Sequence, residues 1–155
     1  MNTHHLNRCT VLGGMSVLAL APLAGIANAA SLPAITAYRN PGCGCCEKWA
    51  EHLRAAGFEV NMQDDPELSA RRTAAGVPAD IAGCHTAYMG EYIIEGHVPA
   101  NDILKLLDLK FTALGLAVRG MPVGSPGMEM GDEKEPYDVL LMQRDGSFGV
   151  FTHYA

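Results

Sequence analysis

Apolar and polar positions alternate in a way that predicts a strand followed by a helix near residue 40. Residues 34–39 (AITAYR) form a short β-branched and aromatic run, and the turn residues Asn40-Pro41-Gly42 end it. Between residues 45 and 56, apolar side chains recur at helical spacing, and Gly57 ends that pattern. The two segments together predict a β–α unit.

Alternating strands and helices continue through the rest of the chain. Gly, Pro and Asp residues bound the segments and place their ends. We predict a strand at residues 58–62, a helix from Asp64 and Asp65 to about residue 75, two strands within residues 82–94, a helix from Pro99, an ordered Gly/Pro/Met-rich loop at residues 115–135, and a hairpin of residues 137–143 and 148–153 around Asp145-Gly146.

This order of elements predicts an α/β, thioredoxin-like fold, with a central mixed β-sheet, flanking helices and an additional C-terminal β-hairpin. A cluster of cysteines between the first strand and its helix favours this interpretation, because that architecture keeps its active site there. Val77-Pro78 also precedes the predicted third strand, where thioredoxins carry a cis proline.

Residues 1–29 have the pattern of a secretory signal peptide. Arg8 supplies a positive charge, residues 9–26 are uncharged and apolar, and Ala27-Asn28-Ala29 places small residues at the cleavage positions. Cleavage after Ala29 leaves residues 30–155 as a single thioredoxin-like domain without a membrane span, exported to the periplasm; an uncleaved membrane anchor is the alternative.

Charge and cysteine spacing narrow the function. The chain carries 11 Lys+Arg against 17 Asp+Glu, a net charge of −6, which argues against a nucleic-acid partner. Removal of the leader takes away Cys9 and leaves Cys43, Cys45, Cys46 and Cys84. Three cysteines within four residues close almost no loop, so disulfide cross-linking stabilises little there. Chemistry explains the cluster better than scaffolding.

The cluster lies at a predicted helix start, where free backbone N–H groups and the helix dipole stabilise thiolates. Three thiolates in a small volume suit a soft ion, with Cu(I) favoured and zinc as the alternative, and thiolates can bridge several metals. Cys43 and Cys46 also form a C-x-x-C pair, so a thiol–disulfide oxidoreductase using these two redox candidates is the competing hypothesis. Metal binding is favoured, because a two-thiol redox couple has no use for a third cysteine.

A fourth thiol and an imidazole, Cys84 and His85, precede the predicted third strand. In a thioredoxin-like fold that position faces the start of the first helix, so Cys84 is a candidate fourth ligand; the alternative is a disulfide to one of the other cysteines. His85 is equally a ligand or a hydrogen-bonded residue. His97 is expected at a helix start or in the core, and His52 and His153 carry less weight still.

Methionines are concentrated in the Gly/Pro-rich loop. Met121, Met128 and Met130 supply thioethers, which are soft ligands for Cu(I), although methionine more often fills gaps in a core. Their position in the same exported chain as a cysteine cluster favours copper modestly.

Four motifs in the same order resemble the CopG family, exported thioredoxin-like copper-resistance proteins of bacteria. The motifs are CGCCEKW (residues 43–49), CHTAY (84–88), EGHVPA (95–100) and GMPVGSPGME (120–129), and the resemblance extends over about residues 34–153 without a departure in any motif.

This resemblance implies copper handling during copper stress, with a multinuclear copper cluster on the cysteine motif and a proposed interconversion of Cu(I) and Cu(II). A periplasmic copper export or delivery protein is the implied partner. Carried over residue by residue, the implied metal ligands are Cys43, Cys45, Cys46 and Cys84, followed by His85 and Met128 as weaker candidates.

Overall fold

The computed structural model describes Met1 and residues 31–155, so the predicted signal peptide lies outside the described residues apart from Met1. Strands and helices alternate along residues 31–155. They are β1 (Ile35–Arg39), α1 (Gly44–Ala55), β2 (Val60–Asp64), α2 (Leu68–Ala74), β3 (His85–Met89), β4 (Tyr92–Glu95), α3 (Ala100–Leu109), β5 (Gly115–Val118), β6 (Tyr137–Met142) and β7 (Phe148–Tyr154), with a 3₁₀ turn at Ala79–Ile81.

The strands form one mixed sheet in the order β2-β1-β3-β4-β5-β6-β7. β1 pairs with β2 and β4 with β5 in parallel, and the other neighbours are antiparallel. The predicted α/β, thioredoxin-like class, with its mixed sheet and flanking helices, is confirmed. The C-terminal hairpin is confirmed too, since β6 and β7 extend the sheet at one edge. None of the helices in the described ranges is long and apolar enough to cross a bilayer.

Helix α1 forms where the apolar spacing predicted it. Its buried side chains, Cys46, Trp49, Ala50 and Leu53, lie on one face. The Trp49 indole donates a hydrogen bond to the Val98 carbonyl at 2.9 Å, which ties the helix to the segment after β4. Apolar side chains of α1 and α3 fill one face of the sheet, and a smaller cluster around the 3₁₀ turn fills the other.

Two element boundaries differ from the predicted ones. β2 covers Val60–Asp64 rather than residues 58–62, so Asp64 ends a strand instead of starting a helix. α2 begins at Leu68. Asp65 lies before the helix, and its carboxylate accepts hydrogen bonds from the Glu67 backbone N–H and from the Arg71 guanidinium. Asp65 therefore organises the turn that leads into α2.

The prediction of a continuous loop over residues 115–135 is wrong at its start. Gly115–Val118 (GLAV) is β5, a buried strand between β4 and β6. A side chain on Gly115 would place its Cβ 1.7 Å from the Ile93 carbonyl oxygen, so only glycine allows this approach. A four-residue strand buried on both faces has no alternation, which is why the Gly and Pro content around it dominated the pattern.

The prediction of a cis proline at Val77-Pro78 is also wrong. No peptide bond within the described residues is cis, and Pro78 leads into the 3₁₀ turn rather than directly into β3. The residue that immediately precedes β3 is Cys84. Directly before β3, where thioredoxins carry their cis proline, this chain therefore has a cysteine.

Candidate metal centre

The sheet register brings two distant cysteine-bearing segments together. Cys43 is the N-cap of α1, and Cys45 and Cys46 lie in its first turn. β1 ends at Arg39, whose partner across the antiparallel ladder is His85 at the start of β3. Cys84, one residue earlier, therefore lies against the first turn of α1.

The four sulfurs form one compact group. A disulfide joins Cys43 and Cys46. The Sγ of Cys45 lies 3.5 Å from the Sγ of Cys43, and the Sγ of Cys84 lies 3.5 Å from that of Cys46 and 3.9 Å from that of Cys45. All four sulfurs lie within 4.8 Å of one another, close enough to share a metal ion. The disulfide considered between Cys84 and one of the three motif cysteines does not form: Cys43 and Cys46 bond to each other, and Cys45 and Cys84 are both free thiols.

Two histidines extend the group on the side of Cys84. The Nε2 atom of His97 lies 2.8 Å from the Cys84 sulfur, while its Nδ1–H donates to the Pro126 carbonyl at 2.7 Å. That donation leaves the lone pair of a neutral His97 at Nε2, which faces the sulfur. The Nδ1 atom of His85 lies 3.4 Å from the same sulfur. Cys84, His85 and His97 thus form a second candidate ligand set.

His85 is wholly buried and its ring packs on Trp49, with the ring centroids 4.1 Å apart. Its Nε2 atom has no hydrogen-bond partner among residues 31–155. A buried polar atom without a partner costs free energy, so such atoms are uncommon outside functional sites. An unpaired, buried imidazole nitrogen is therefore consistent with a role of His85 in binding a ligand.

Burial disfavours the charged forms of Cys84 and of the two histidines beside it. Burial raises the pKa of the Cys84 thiol, and the neighbouring Cys45 raises it further. Burial also lowers the pKa of His97, and it lowers that of His85 well below the usual range. Cys84 precedes β3 and does not belong to the helix start that was expected to lower thiol pKa values, so burial, followed by the neighbouring Cys45, sets the direction of its shift. A cation in the site would favour the deprotonated thiolate.

The loop after β5 covers this group. The Pro126 carbonyl holds His97, and Gly127 is packed so closely on α1 that a Cβ would lie 2.7 Å from the Cys45 carbonyl oxygen. Gly127 also has a φ of +86°, in the left-handed region that favours glycine. The Glu129 carboxylate accepts a hydrogen bond from the Gly127 N–H at 2.9 Å and stiffens the turn.

The remaining candidates lie elsewhere or at the rim of the site. Met128 is partly exposed beside Gly127, whereas Met121 and Met130 are 53% and 60% exposed. His52 Nε2 accepts a hydrogen bond from the Ala100 N–H at the start of α3, and His153 pairs with Asp138 on β6. Both histidines therefore have structural partners.

His97 is buried shortly before α3, as expected for a core or helix-start histidine, but its contact with Cys84 was not predicted. It lies 13 positions from Cys84, and only the pairing of β3 with β4 brings the two side chains into contact. The available signal was the EGHVPA motif, one of the four motifs that carry the family resemblance, although it did not say what His97 contacts.

Four sulfurs within 4.8 Å of one another, and two imidazoles beside the Cys84 sulfur, fit a soft, thiophilic ion. Copper in the Cu(I) state and zinc both accept such ligands, and imidazole also suits Cu(II). The group of residues therefore fits the copper that the family resemblance implies.

Comparisons with known proteins identify the family of this chain. The family described as "Protein of unknown function, DUF411" matches residues 81–128, which include Cys84, His85 and His97. No curated protein sequence matches the chain. Among solved structures, "Copper resistance protein copG- Form 1" is 45% identical, covers 79% of this chain and 98% of its own, and superposes with a TM-score of 0.76. The "Form 2" structure is 44% identical, covers 80% of this chain and 99% of its own, and has a TM-score of 0.77. With this identity and coverage, the chain belongs to the family of the CopG copper-resistance proteins.

Proposed function

We propose that this protein is an exported copper-binding protein of copper resistance, and that it holds Cu(I) on Cys43, Cys45, Cys46 and Cys84. His97 and His85 supply nitrogen ligands beside Cys84, and Met128 is a further sulfur candidate at the rim. The protein acts in the periplasm after removal of residues 1–29, and it exchanges copper with an export or delivery protein.

The convergence of all four cysteine sulfurs within 4.8 Å carries this proposal. A two-thiol redox centre needs only Cys43 and Cys46, so the two additional sulfurs require another explanation. Thiolates bridge Cu(I) ions, and four of them in this volume suit a cluster of several coppers. The Nδ1 atom of His85, 3.4 Å from the Cys84 sulfur, supports a nitrogen ligand beside the cysteines.

Before the site can bind copper, one redox step and one proton step are needed. An external dithiol must first reduce the disulfide between Cys43 and Cys46 by two electrons and two protons, and is itself oxidised to a disulfide, because a disulfide sulfur is a poor ligand. Cys84 must also lose its proton, and His97 Nε2 lies 2.8 Å away to accept it or to bind the metal once it has left. Interconversion of Cu(I) and Cu(II), with one electron given to or taken from an external one-electron redox partner, is part of the proposal: the thiolates favour Cu(I), and the imidazoles suit both states.

Anaerobic Cu(I) titration of the reduced chain from Ala30, against a chromophoric chelator, tests the proposal. We expect more than one tightly bound copper per chain, with lower stoichiometry in Cys45→Ser. His153→Gln, which removes an exposed imidazole far from the cysteines in sequence, should match the wild type. Unchanged stoichiometry in Cys45→Ser would contradict the thiolate site, and a preference for zinc in a parallel titration would reassign the metal.

A second candidate function is thiol–disulfide exchange with other proteins through Cys43 and Cys46. The disulfide between them is the observation that favours it. Insulin reduction and refolding of scrambled ribonuclease separate the two functions, because a copper-binding protein shows neither at a useful rate. Activity in both assays that survives in Cys45→Ser would support the oxidoreductase.

A further inference from the structure

A buried ion pair lies directly behind Cys84. The Glu95 carboxylate is fully buried, and its Oε1 atom accepts hydrogen bonds from the Arg72 Nε–H and the Gly83 N–H, each at 2.7 Å. Its Oε2 atom accepts a hydrogen bond from the Thr86 hydroxyl at 2.6 Å. Arg72 reaches further and donates from Nη2 to the Gly83 carbonyl at 2.9 Å.

A buried ion pair is weak evidence for a stabilising role in the fold, because desolvation of the two charges offsets their attraction. Both charges lose their hydration on burial, and well-packed apolar residues at the same positions often give equal or greater stability. The position of the pair therefore calls for another account. Each of its contacts outside the pair ends on the two residues that flank the Cys84–His85 dipeptide, Gly83 and Thr86.

These contacts immobilise the backbone that carries the Cys84 thiol. Both polar groups of Gly83 are occupied, its N–H by Glu95 and its carbonyl by Arg72. That carbonyl belongs to the peptide bond that leads into Cys84, so Arg72 sets the plane from which the thiol projects. On the other side of Cys84, the His85 carbonyl accepts a hydrogen bond from Gly96 at 2.9 Å.

The same arrangement fixes His97 against Cys84. A Cβ on Gly83 would lie 2.6 Å from the Gly96 Cα, so the backbones before these two ligand candidates touch. Glu95 precedes this contact and is the register partner of Thr86 across the β3–β4 ladder. One carboxylate thus links the strand after Cys84 to the strand before His97.

We propose that Arg72 and Glu95 are positioning residues of the copper site, an inference that rests on the proposed function. They hold Cys84 between the Cys46 sulfur at 3.5 Å and His97 Nε2 at 2.8 Å. Without the contact from Arg72 to Gly83, the Cys84 peptide rotates and the thiol leaves this narrow gap. Residues that orient metal ligands from behind typically contribute 10–100-fold to metal affinity.

The substitution Arg72→Lys tests this role and keeps the positive charge. A lysine has one nitrogen on a flexible stem, so it cannot reproduce the Nε and Nη2 contacts to Glu95 and Gly83 together. The matched control is Arg71→Lys, one position earlier on α2, because Arg71 pairs with Asp65 rather than with the Cys84 segment. Both variants are first compared with the wild type by urea unfolding.

Competition titration with Cu(I) then gives the decisive comparison on the reduced proteins. We expect Arg72→Lys to lose about 10–100-fold in Cu(I) affinity and to show a weakened thiolate-to-copper charge-transfer absorption, while Arg71→Lys retains both. Equal affinity and absorption in Arg72→Lys and the wild type would overturn the positioning role. An equal loss in Arg71→Lys would overturn it too, because the effect would then come from α2 as a whole.

A gentler pair of variants keeps the test decisive if Arg72→Lys does not fold. Thr86→Val removes the hydroxyl that binds Glu95 and keeps the side-chain shape, whereas Thr86→Ser keeps the hydroxyl. Reduced Cu(I) affinity in Thr86→Val with recovery in Thr86→Ser supports the proposal, and identical affinities refute it. Wild-type protein that binds no Cu(I) in the same titration would refute the proposed function itself, which separates the two failures.

Discussion

Gly127 offers a direct test of how closely the covering loop is packed on the candidate metal centre. In Gly127→Ala the new methyl group would lie 2.7 Å from both the Cys45 carbonyl oxygen and the Trp49 backbone nitrogen. Both neighbours are helix backbone and cannot rotate away. Forcing an extra methyl group into a tight contact costs about 1–3 kcal/mol. The left-handed backbone at φ +86° adds about 1–2 kcal/mol for any residue with a Cβ.

The matched control is Gly131→Ala in the same loop. Gly131 also has a positive φ, of +64°, but a Cβ there would meet no atom within 4 Å. The difference between the two variants in urea unfolding free energy therefore isolates the steric contact, and we expect Gly127→Ala to be less stable by about 1–3 kcal/mol.

Cu(I) competition on the same two proteins shows whether the loop also supports the site. Lifting the loop breaks the hydrogen bond between His97 and Pro126, so Gly127→Ala should bind Cu(I) more weakly than Gly131→Ala. Equal stability and equal affinity in the two variants would refute the close packing of the loop on α1.

Two further predictions concern redox state and pH. Without reductant, the disulfide between Cys43 and Cys46 withholds two of the four thiolates, so Cu(I) stoichiometry should fall and then recover after phosphine treatment; equal stoichiometry in both states would argue against ligation by that pair. Burial lowers the pKa of His52 from 6.5, although Glu129 opposes the shift, so its contribution to stability is present above pH 6.5 and is lost as the pH falls further. His52→Gln keeps an acceptor for the Ala100 N–H and should flatten the acid side of the metal-free curve of stability against pH. The exposed control, His153→Gln, should leave the curve unchanged. Superimposable curves for His52→Gln and the wild type would contradict this expectation.

Much of the fold follows from local pattern. The helical spacing of Cys46, Trp49 and Leu53 predicted the apolar face of α1, and the Asp145-Gly146 turn located the final hairpin. These features depend on residues that are close in sequence, which is where periodicity and turn chemistry carry information. The proximity of Cys84 to the cysteine motif also followed once the order of elements indicated a thioredoxin-like sheet.

The missed features depend on contacts between distant segments. Nothing within GLAV reveals that Gly115 must accept the Ile93 backbone at close range, so β5 could not be separated from the following loop. The contact of His97 with Cys84 likewise exists only through the β3–β4 register. Arg72 and Glu95 are 23 positions apart, and a buried pair of that kind has no local signature.

The division of the candidate site between neighbouring and distant residues has a thermodynamic consequence. Cys43, Cys45 and Cys46 stay close even in the unfolded chain, whereas Cys84 and His97 reach them only after the sheet has formed. A ligand stabilises a protein only to the extent that it prefers the folded state over the unfolded one. Copper held by the local motif would bind both states, so tight binding need not raise the unfolding temperature in proportion. Only the part of the binding free energy that depends on Cys84 and His97 would add to the free energy of unfolding.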